Sequence, residues 1–406
     1  MKFAHIADCH IGSWRDAKLR EVSIKAFEKA IRTCIERCVD FVLISGDLFN
    51  TSLPGIESLK STVSMLKELK DRGIPVYVIA GSHDFSPSGK TIIDVLENAG
   101  LFVNVAKGSV KDDKLVLKFT VDNKTGAKIT GMIGRKGSLE KGYYEKLDNK
   151  ILENERGYKI FMFHSAISEL KPSGFEKIEA HPLSLLPKNF NYYAGGHIHS
   201  VLKKELPGYG MIAFPGPLFP NNFSELEKLH RGGFFIVEDN KIEWVPVQIC
   251  NTYHICINCN HKTPEQIQSE IISDIKGKEF INTIVTIRLE GTLSSGKPSD
   301  IDFKEIIGML YDKSAYFVMK NTSKLMSREF EEIKVDTASS DEIEHKIIKE
   351  HLGKITIPGL NKEKTEVLIK ELMQILSVEK QEGERLTDFE ARIRRDASLL
   401  LESKLK

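Results

Sequence analysis

Long apolar runs are missing from this 406-residue sequence. None approaches the ~20 residues that a membrane-spanning helix needs. Met1, Lys2 and Phe3 lead directly into strand-like residues, which leaves no room for a signal peptide. We therefore expect a protein that neither crosses nor enters a membrane.

Cysteine and net charge are also scarce. The six cysteines show no disulfide-framework spacing, which favours the reducing cytoplasm. The 58 basic and 57 acidic residues give a net charge of +1, so no field of the whole molecule draws it to nucleic acid or membrane. Any polyanion site must be a local patch or be centred on metal ions. The length allows two or three domains.

The first eighty or so residues alternate between strand and helix patterns. Apolar runs at 2–7, 41–44 and 74–80 are separated by helical apolar periods at 17–38 and 56–72. Two successive crossovers predict a parallel, right-handed layered sheet. The three runs end in the turns Asp8-Cys9-His10, Ser45-Gly46-Asp47 and Gly81-Ser82-His83-Asp84. Because parallel strands end at one edge of a sheet, these polar turns should lie side by side.

The same design recurs later in the chain. Shorter alternating strands at 101–121 and 128–133 predict a second layer of sheet. The run 158–163 ends at His164, and the run 192–194 leads into Gly195-Gly196-His197-Ile198-His199. Two histidines at i and i+2 in a turn pinched by glycines can face one ion, although an exposed pair without a ligand is the alternative for this motif alone.

Carboxylates and imidazoles at five strand ends indicate a metal centre. Such ligands suit Mn²⁺, Fe²⁺ or Zn²⁺ better than Ca²⁺ or Mg²⁺. The candidates are too many for one ion, which predicts two metals about 3.5 to 4 Å apart for in-line displacement at phosphorus. Asp47, central in the order, is the natural bridge. Cys9 lies between two candidates but points to the other side of the strand, so we interpret it as packing.

The whole set of motifs resembles the calcineurin-like metallophosphoesterase signature. Residues 7–12, 46–49 and 214–217 resemble its DNA-repair branch, the Mre-eleven nucleases, called SbcD in bacteria, and most of all archaeal members. The resemblance covers about residues 1–247. It implies an α/β fold, with a two-layered β-sandwich flanked by helices as the nuclease domain, then a smaller α/β capping domain and a C-terminal helical tail.

The resemblance also implies roles for the site residues. The first of two Mn²⁺ ions would be held by Asp8, His10, Asp47 and His199, and the second by Asp47, Ser82, His164 and His197. His83 would be a catalytic histidine that is not a ligand, and Asp84 would orient it through the other ring nitrogen.

Two positions depart from the family pattern. Ser82 stands where the family usually has asparagine, and a hydroxyl is a poorer ligand than an amide oxygen, so we expect the second metal to bind weakly or through water. Asn50 stands where this branch often has a second histidine. We assign Asn50 no catalytic role.

The region after residue 247 predicts a compact β-α-β-α-β unit, with strands at 248–258, 280–289 and 315–320 and helices after Thr263 and at 302–313. It resembles the capping domain of the nuclease branch, and we set its bounds at 248–335. Lys320, Lys324 and Arg328 are candidate DNA contacts, with a solvated charged face as the alternative. Cys250, His254, Cys256, Cys259 and His261 offer a zinc alternative, but alternation on a strand favours packing.

Residues 336–406 carry helical patterns, one beginning at Ser339 and another at Asn361. In the last of them, apolar residues recur at three- and four-residue steps, which favours a partner helix, with folding back onto the chain's own domain as the alternative. The resemblance implies a helical pair that binds an SbcC-like, SMC-type ATPase. The candidate contacts are Leu386, Phe389, Ile393 and Leu400.

The leading hypothesis is a Mn²⁺-dependent DNA endonuclease and 3′–5′ exonuclease in double-strand-break repair. It would act in the cytoplasm at the nucleoid, as a homodimer bound to the ATPase, with residues 56–69 as the candidate dimer helix. The alternatives are a metallophosphatase or cyclic phosphodiesterase with a non-DNA substrate, and a scaffold with a weakened second metal site.

Overall fold

A computed structural model describes residues 1–327, apart from 86–90, 136, 138, 173 and 175–177, together with 361–378 and 386–404. The chain divides into two compact units, Met1–Ser327 and Arg328–Lys406, which are described separately. The predicted division at 247 and 335 stays a prediction. Within the described residues, no helix is long and apolar enough to span a bilayer.

The first unit contains two sheets of six strands. The strands of the first sheet are, in spatial order, β14 (Lys241–Val247), β13 (Gly232–Glu238), β1 (Lys2–Ile6), β2 (Phe41–Ser45), β3 (Val76–Ile79) and β4 (Val103–Asn104). From β1 to β4 they run parallel, whereas β13 and β14 add an antiparallel edge. The predicted β-α-β-α-β order of the first eighty residues is confirmed.

The second sheet begins in the region where a second layer was predicted, but of the predicted strands at 101–121 and 128–133 only Thr120–Val121 and Lys128–Gly131 belong to it. Its strands are, in spatial order, β11 (Leu202–Glu205), β12 (Met211–Phe214), β10 (Tyr192–Gly196), β9 (Lys159–His164), β8 (Lys128–Gly131) and β7 (Thr120–Val121). Its four central strands are parallel. A separate hairpin is formed by β5 (Gly108–Lys111) and β6 (Lys114–Leu117).

Apolar side chains fill the space between the two sheets. Phe3 and Phe41 from the first sheet and Ile160 and Tyr192 from the second belong to one buried cluster. The rings of Phe3 and Phe41 stack with centroids 5.0 Å apart, and Tyr192 meets Phe3 edge-on at 5.2 Å. Since alternate residues of a strand face opposite sides, each sheet also buries its outer face, which confirms a two-layered sandwich flanked by helices.

Helices cover these outer faces. Asp16 caps the first of them by accepting the N–H of Lys18 at 2.8 Å, and Leu19, Val22 and Phe27 lie on its buried face. The helices of the sandwich are α1 (Ala17–Glu36), α2 (Ile56–Asp71), α3 (Ile92–Asn98), α4 (Lys141–Glu145), α5 (Asn149–Asn154) and α6 (Phe223–Leu229), with 3₁₀ turns at Ser168–Leu170 and Leu183–Leu185.

The predicted β-α-β-α-β unit after residue 247 is present as a three-stranded parallel sheet with its own core. Thr263 and Gln266 form a capping box at its first helix, as the sequence indicated. The unit consists of β15 (Asn251–Asn258), α7 (Pro264–Ile275), β16 (Thr283–Leu293), a 3₁₀ turn at Pro298–Asp300, α8 (Phe303–Asp312) and β17 (Ala315–Ser327).

The other face of this small sheet packs on the sandwich. Cys250 and Ile284 lie in the core beneath α1, whereas Cys259 is buried in the core of the small sheet. The packing interpretation of these two cysteines is therefore confirmed. On the surface, the Arg288 guanidinium donates to both carboxylate oxygens of Glu227 on α6 and lies 5.0 Å from the Phe223 ring centroid.

The described part of the second unit is a pair of helices, Lys362–Leu376 and Leu386–Lys404. Asn361 caps the first by accepting the N–H of Lys364 at 2.9 Å, as predicted. Lys404 forms an ion pair with Glu371, at 3.0 Å, which joins the end of the second helix to the first. The helix predicted to begin at Ser339 lies outside the described residues.

Candidate metal centre

The polar turns converge because β1, β2 and β3 are adjacent and parallel, and β9 and β10 end opposite them. Backbone hydrogen bonds join the first two turns, from Asp8 N to Gly46 O at 3.2 Å and from His10 N to Asp47 O at 2.9 Å. The side-chain carboxylate of Asp8 accepts the backbone N–H of His197 at 3.0 Å, which ties the second sheet to the first. The structure thus brings all the strand-end turns named from the sequence to one place.

Asp47 lies at the centre of the cluster. Its Oδ2 is 3.1 Å from Nε2 of His164, 3.5 Å from Nε2 of His10, and accepts a hydrogen bond from Oγ of Ser82 at 3.4 Å. Its Oδ1 accepts the backbone N–H of His83 at 2.7 Å. The carboxylate therefore faces side chains from three different turns, as expected of a bridging ligand.

Asp8 is a second carboxylate in the cluster and also lies close to imidazole nitrogens. Its Oδ1 is 3.6 Å from Nε2 of His199 and 4.0 Å from Nε2 of His164. Nε2 of His10 lies 3.2 Å from Nε2 of His199. The imidazole of His197 lies beside that of His164, with ring centroids 5.3 Å apart. All seven predicted ligands are therefore part of one cluster.

Three groups of side chains within the described residues have metal-binding geometry, with ligand atoms within 4.8 Å of one another. They are Asp8 with His10 and His199, Asp8 with Asp47 and His164, and His10 with Asp47 and His83. The first group contains three of the four predicted ligands of the first ion, and the second contains the predicted bridge. The third includes His83, which was predicted to be near the metals without binding them.

His164 is oriented in the way that a metal-ligating histidine is. The His164 ring donates from Nδ1 to the carbonyl oxygen of Ser45 at 2.8 Å, so its buried Nε2 faces Asp47 without a hydrogen bond of good geometry. A backbone carbonyl on one ring nitrogen is the usual way that proteins fix the tautomer of a ligating histidine. These residues therefore fit divalent metal ions.

The four imidazoles differ in charge when no metal is present. Burial lowers the pKa of His10 and of His197 to about 4, so both are neutral at pH 7. Burial opposes charge on His164 and His199 as well, but Asp47 raises the pKa of His164 to about 9, and Asp8 with Glu225 raises that of His199 to about 10.

Glu225 is a site residue that sequence reasoning missed. Its Oε1 accepts a hydrogen bond from Nδ1 of His199 at 2.9 Å, and its Oε2 accepts the N–H of Asn221 at 2.8 Å. The Asn222 side chain caps α6 and places Glu225 in the first turn. The only sequence signal was an acidic residue at this helix start, and such residues occur at helix starts without any link to a metal.

The predicted role of Asp84 was wrong. Its carboxylate is fully buried and accepts the backbone N–H groups of Gly81, Leu48 and Phe49 at 3.0, 3.2 and 3.1 Å. It does not hold the ring of His83. Burial and the neighbouring charge of Asp47 raise the pKa of Asp84 to about 6, against the lowering effect of the three N–H groups. The side chain turns inward and fixes the turn after β2 to the turn after β3.

The partner of His83 is the backbone of Asn50. The His83 ring donates from Nδ1 to the carbonyl oxygen of Asn50 at 2.8 Å. Its ring meets that of His10 edge-on, with centroids 4.8 Å apart. The predicted catalytic role of His83, which would use its second ring nitrogen, Nε2, stays a prediction.

The backbone of the turns is unusual. Gly46 has φ +83°, and a Cβ on it would lie 2.2 Å from Nδ1 of His164, so only glycine fits there. Non-glycine residues in the left-handed region are uncommon and cluster at functional sites. Four predicted ligands have positive φ: Asp8 at 50°, His10 at 41°, Asp47 at 51° and His197 at 85°.

The predicted DNA contacts stay predictions. Nζ of Lys320 lies 3.8 Å from the Phe303 ring centroid, and Nζ of Lys324 forms an ion pair with Glu290 at 3.2 Å. Arg328 lies outside the described residues.

The predicted partner and dimer contacts are also untested. Phe389, Ile393 and Leu400 are half-buried on the last helix, where Leu386 is the first residue. Ile56, at the start of α2, is 84% exposed, as the candidate dimer helix requires.

Comparison with known proteins gives the same class of fold. Residues 1–201 match the family model described as calcineurin-like phosphoesterase. The DNA double-strand break repair protein Mre11 of Archaeoglobus fulgidus is 26% identical over 86% of this chain and 80% of its own length. That of Sulfolobus acidocaldarius is 28% identical over 91% and 94%, and that of Methanocaldococcus jannaschii is 32% identical over 59% and 62%.

Proposed function

We propose that this chain, whose residues 1–201 form a calcineurin-like metallophosphoesterase domain, is a metal-dependent DNA nuclease of double-strand-break repair. Its Mre11 relatives, similar over most of their length in two cases, support DNA as the substrate. In this proposal it acts on DNA at the nucleoid, with both endonuclease and 3′–5′ exonuclease activity.

The observation that carries the proposal is the position of Asp47 between two sets of ligands. In this proposal one set is Asp8, His10 and His199 and the other is His164, His197 and Ser82. Asp47 Oδ2 lies within 3.5 Å of His10, His164 and Ser82, which come from both sets. We infer that the two sets hold two Mn²⁺ ions. When bound, such ions supply a hydroxide nucleophile and neutralise charge on the phosphoryl oxygens.

The protein's own contribution to the reaction centres on His83. Because Asn50 O fixes Nδ1–H, the other nitrogen, Nε2, is available to hydrogen-bond a phosphoryl oxygen or to give a proton to the leaving oxygen. Asp47 Oδ1 accepts the backbone N–H of His83, so the ring and the bridging carboxylate are positioned together.

Ser82 sets the strength of the second site. Its Oγ reaches Asp47 rather than projecting past it, with a separation of 3.4 Å from Oδ2. An asparagine at this position, which carries a carboxamide in place of the hydroxyl, would extend further towards an ion beside His164. This is why we propose a weaker second site in this chain.

The remaining parts of the proposal concern DNA and protein partners. We assign the three-stranded sheet the role of a DNA-capping domain and the C-terminal helix pair that of a site for an SbcC-like ATPase. Homodimerisation through α2 belongs to the same proposal. A truncation that removes residues from 378 onward should abolish ATPase binding and spare nuclease activity; retained binding would refute this part.

The test is cleavage of circular single-stranded DNA, beside a chromogenic phosphodiester and a phosphomonoester, in Mn²⁺, Mg²⁺ and EDTA. We expect cutting of the circle in Mn²⁺ by the unmutated chain and none by Asp47→Ala. Turnover of the small esters alone would indicate a phosphatase or cyclic phosphodiesterase instead. Absence of all turnover would favour a scaffold, and Ser82→Asn would then be the first variant to assay.

A further inference from the structure

Arg135 follows a backbone segment that touches the metal centre. The segment leaves β8, and Gly134 donates its N–H to the carbonyl oxygen of Ala80 at 2.9 Å, immediately before the turn at 81–84. A Cβ on Gly134 would lie 2.6 Å from Cδ2 of His164. The residue before Arg135 is therefore in contact with a proposed metal ligand.

Two aromatic rings hold the Arg135 guanidinium. Its central carbon lies 4.7 Å from the ring centroid of Phe85 and 5.6 Å from that of Tyr143. Nη1 donates to the Tyr143 hydroxyl at 2.9 Å. Phe85 directly follows Asp84, so the turn that supplies His83 also supplies one of the two rings. The guanidinium is thus packed against both rings and hydrogen-bonded to one of them.

The backbone of Arg135 is also fixed, by a hydrogen bond to Glu140. Its N–H donates to Oε2 of Glu140 at 3.1 Å, and Oε1 of Glu140 lies 3.0 Å from Nε2 of His181. Glu140 and His181 are both buried. Both carboxylate oxygens of Glu140 are therefore engaged by groups other than the guanidinium.

Among the described residues, no acidic oxygen lies within 4.0 Å of the Arg135 guanidinium. Its Nε is buried and has no hydrogen-bond partner in the part of the chain that the structure describes. Arg288 differs sharply, because it makes a bidentate contact with Glu227. A partly buried cation without a counter-ion is costly unless an anion completes its hydrogen bonds, and a guanidinium fork fits phosphate oxygens.

We propose that Arg135 binds a backbone phosphate of the DNA strand next to the phosphate that is cleaved. This inference rests on the proposed function, because it requires a polynucleotide in the metal centre. Arg135 is a substrate-positioning residue in this assignment. It contributes to holding a strand with several phosphates and nothing to a substrate with only one.

The test uses the full chain and three variants. Arg135→Gln removes the cation, Tyr143→Phe removes only the hydrogen bond to Nη1, and Arg37→Gln is a matched loss of one positive charge. Arg37 forms an ion pair with Glu243, and its carbonyl accepts from Lys2 at the opposite end of β1 from the metal centre. Thermal unfolding midpoints establish that each variant folds.

The first readout is binding of a fluorescent single-stranded oligonucleotide in EDTA over a series of salt concentrations. We expect Arg135→Gln to weaken binding by about tenfold and to reduce the slope of log K against log salt by about 0.7, the value for one phosphate contact on a single strand. Tyr143→Phe should have a smaller effect, and Arg37→Gln none. An unchanged slope in Arg135→Gln overturns the proposal, even if the protein cleaves no DNA.

The second readout is steady-state cleavage in Mn²⁺. In Arg135→Gln, KM for the oligonucleotide should rise by about tenfold with kcat little changed, whereas kcat/KM for a chromogenic phosphodiester should be unaffected. Equal losses on both substrates would mean that Arg135 acts on the metal centre itself and would overturn the assignment. If the unmutated chain cleaves neither substrate, the proposed function fails. The salt dependence of oligonucleotide binding in EDTA then still tests whether Arg135 contacts a phosphate.

Discussion

Metal loading at pH 7 should release about two protons from this protein. The first ligand group contains one histidine with a raised pKa, His199 at about 10, and the second contains another, His164 at about 9. Both carry a proton at pH 7 in the metal-free protein, and a metal must displace it. His10 and His197, with pKa values of about 4, are already neutral and release none.

The pH dependence follows from the same values. Each ion displaces one proton, so each apparent association constant should rise about tenfold per pH unit between roughly pH 6 and 8. The metal-free fold has the opposite dependence. Because the pKa of His164 and of His199 is raised above the unfolded value of 6.5, their contribution to stability is complete below that pH and is lost as pH rises through about 9 to 10.

The assay is calorimetric titration with Mn²⁺ in two weakly coordinating buffers of different ionisation enthalpy, which gives the proton count directly. Glu225→Gln keeps an oxygen that can accept from Nδ1 of His199 but removes the charge, so the count should fall from about two towards one. Glu243→Gln is the matched control, because Glu243 is an exposed carboxylate that pairs with Arg37.

Two results would refute this reasoning. A proton count near zero in the unmutated protein would mean that His164 and His199 are neutral before metal binds. A count that Glu225→Gln leaves unchanged would mean that Glu225 does not stabilise the charged form of His199, despite its distance of 2.9 Å.

Three further substitutions test the geometry. Asp84→Asn should lower stability by about 2 kcal/mol in thermal unfolding, because an amide cannot accept from three backbone N–H groups; an unchanged melting temperature would contradict this. Gly46→Ala should abolish Mn²⁺ binding in calorimetry, since its Cβ would overlap Nδ1 of His164. Normal binding would show that the turn can move enough to accommodate the methyl group. Ser82→Asn should tighten the second metal, and equal affinity in the same titration would remove Ser82 as the cause of weak binding.

The convergence of the candidate ligands could be predicted from the sequence because each lies at the end of an apolar run. A strand pattern fixes where the chain reaches the sheet edge, and parallel order fixes which ends are neighbours. Asp8, Asp47 and His164 follow directly from this logic. Glu225 could not be found in this way, because its contact with His199 depends on how α6 packs.

Side-chain direction was the other limit. Asp84 was assigned to His83 as a role that the family resemblance implies, yet the carboxylate turns to three backbone donors and the carbonyl of Asn50 takes its predicted place. Strand length was also underestimated: β17 was predicted to end at residue 320 and ends at Ser327. A register shift at Arg288 and Glu290 lets β16 and β17 continue pairing beyond the point where the alternation breaks.

Helix α6 carries two carboxylates with different partners. Glu225 holds the imidazole of His199, and Glu227 holds the guanidinium of Arg288 in the three-stranded sheet. Seven residues form only about two turns, so the helix moves as one body. A displacement of the sheet that pulls on Arg288 would therefore be transmitted to His199, a proposed metal ligand. Since such coupling is reciprocal, any position of the sheet that strengthened metal binding at His199 would in turn be favoured by the metal, by the same free energy.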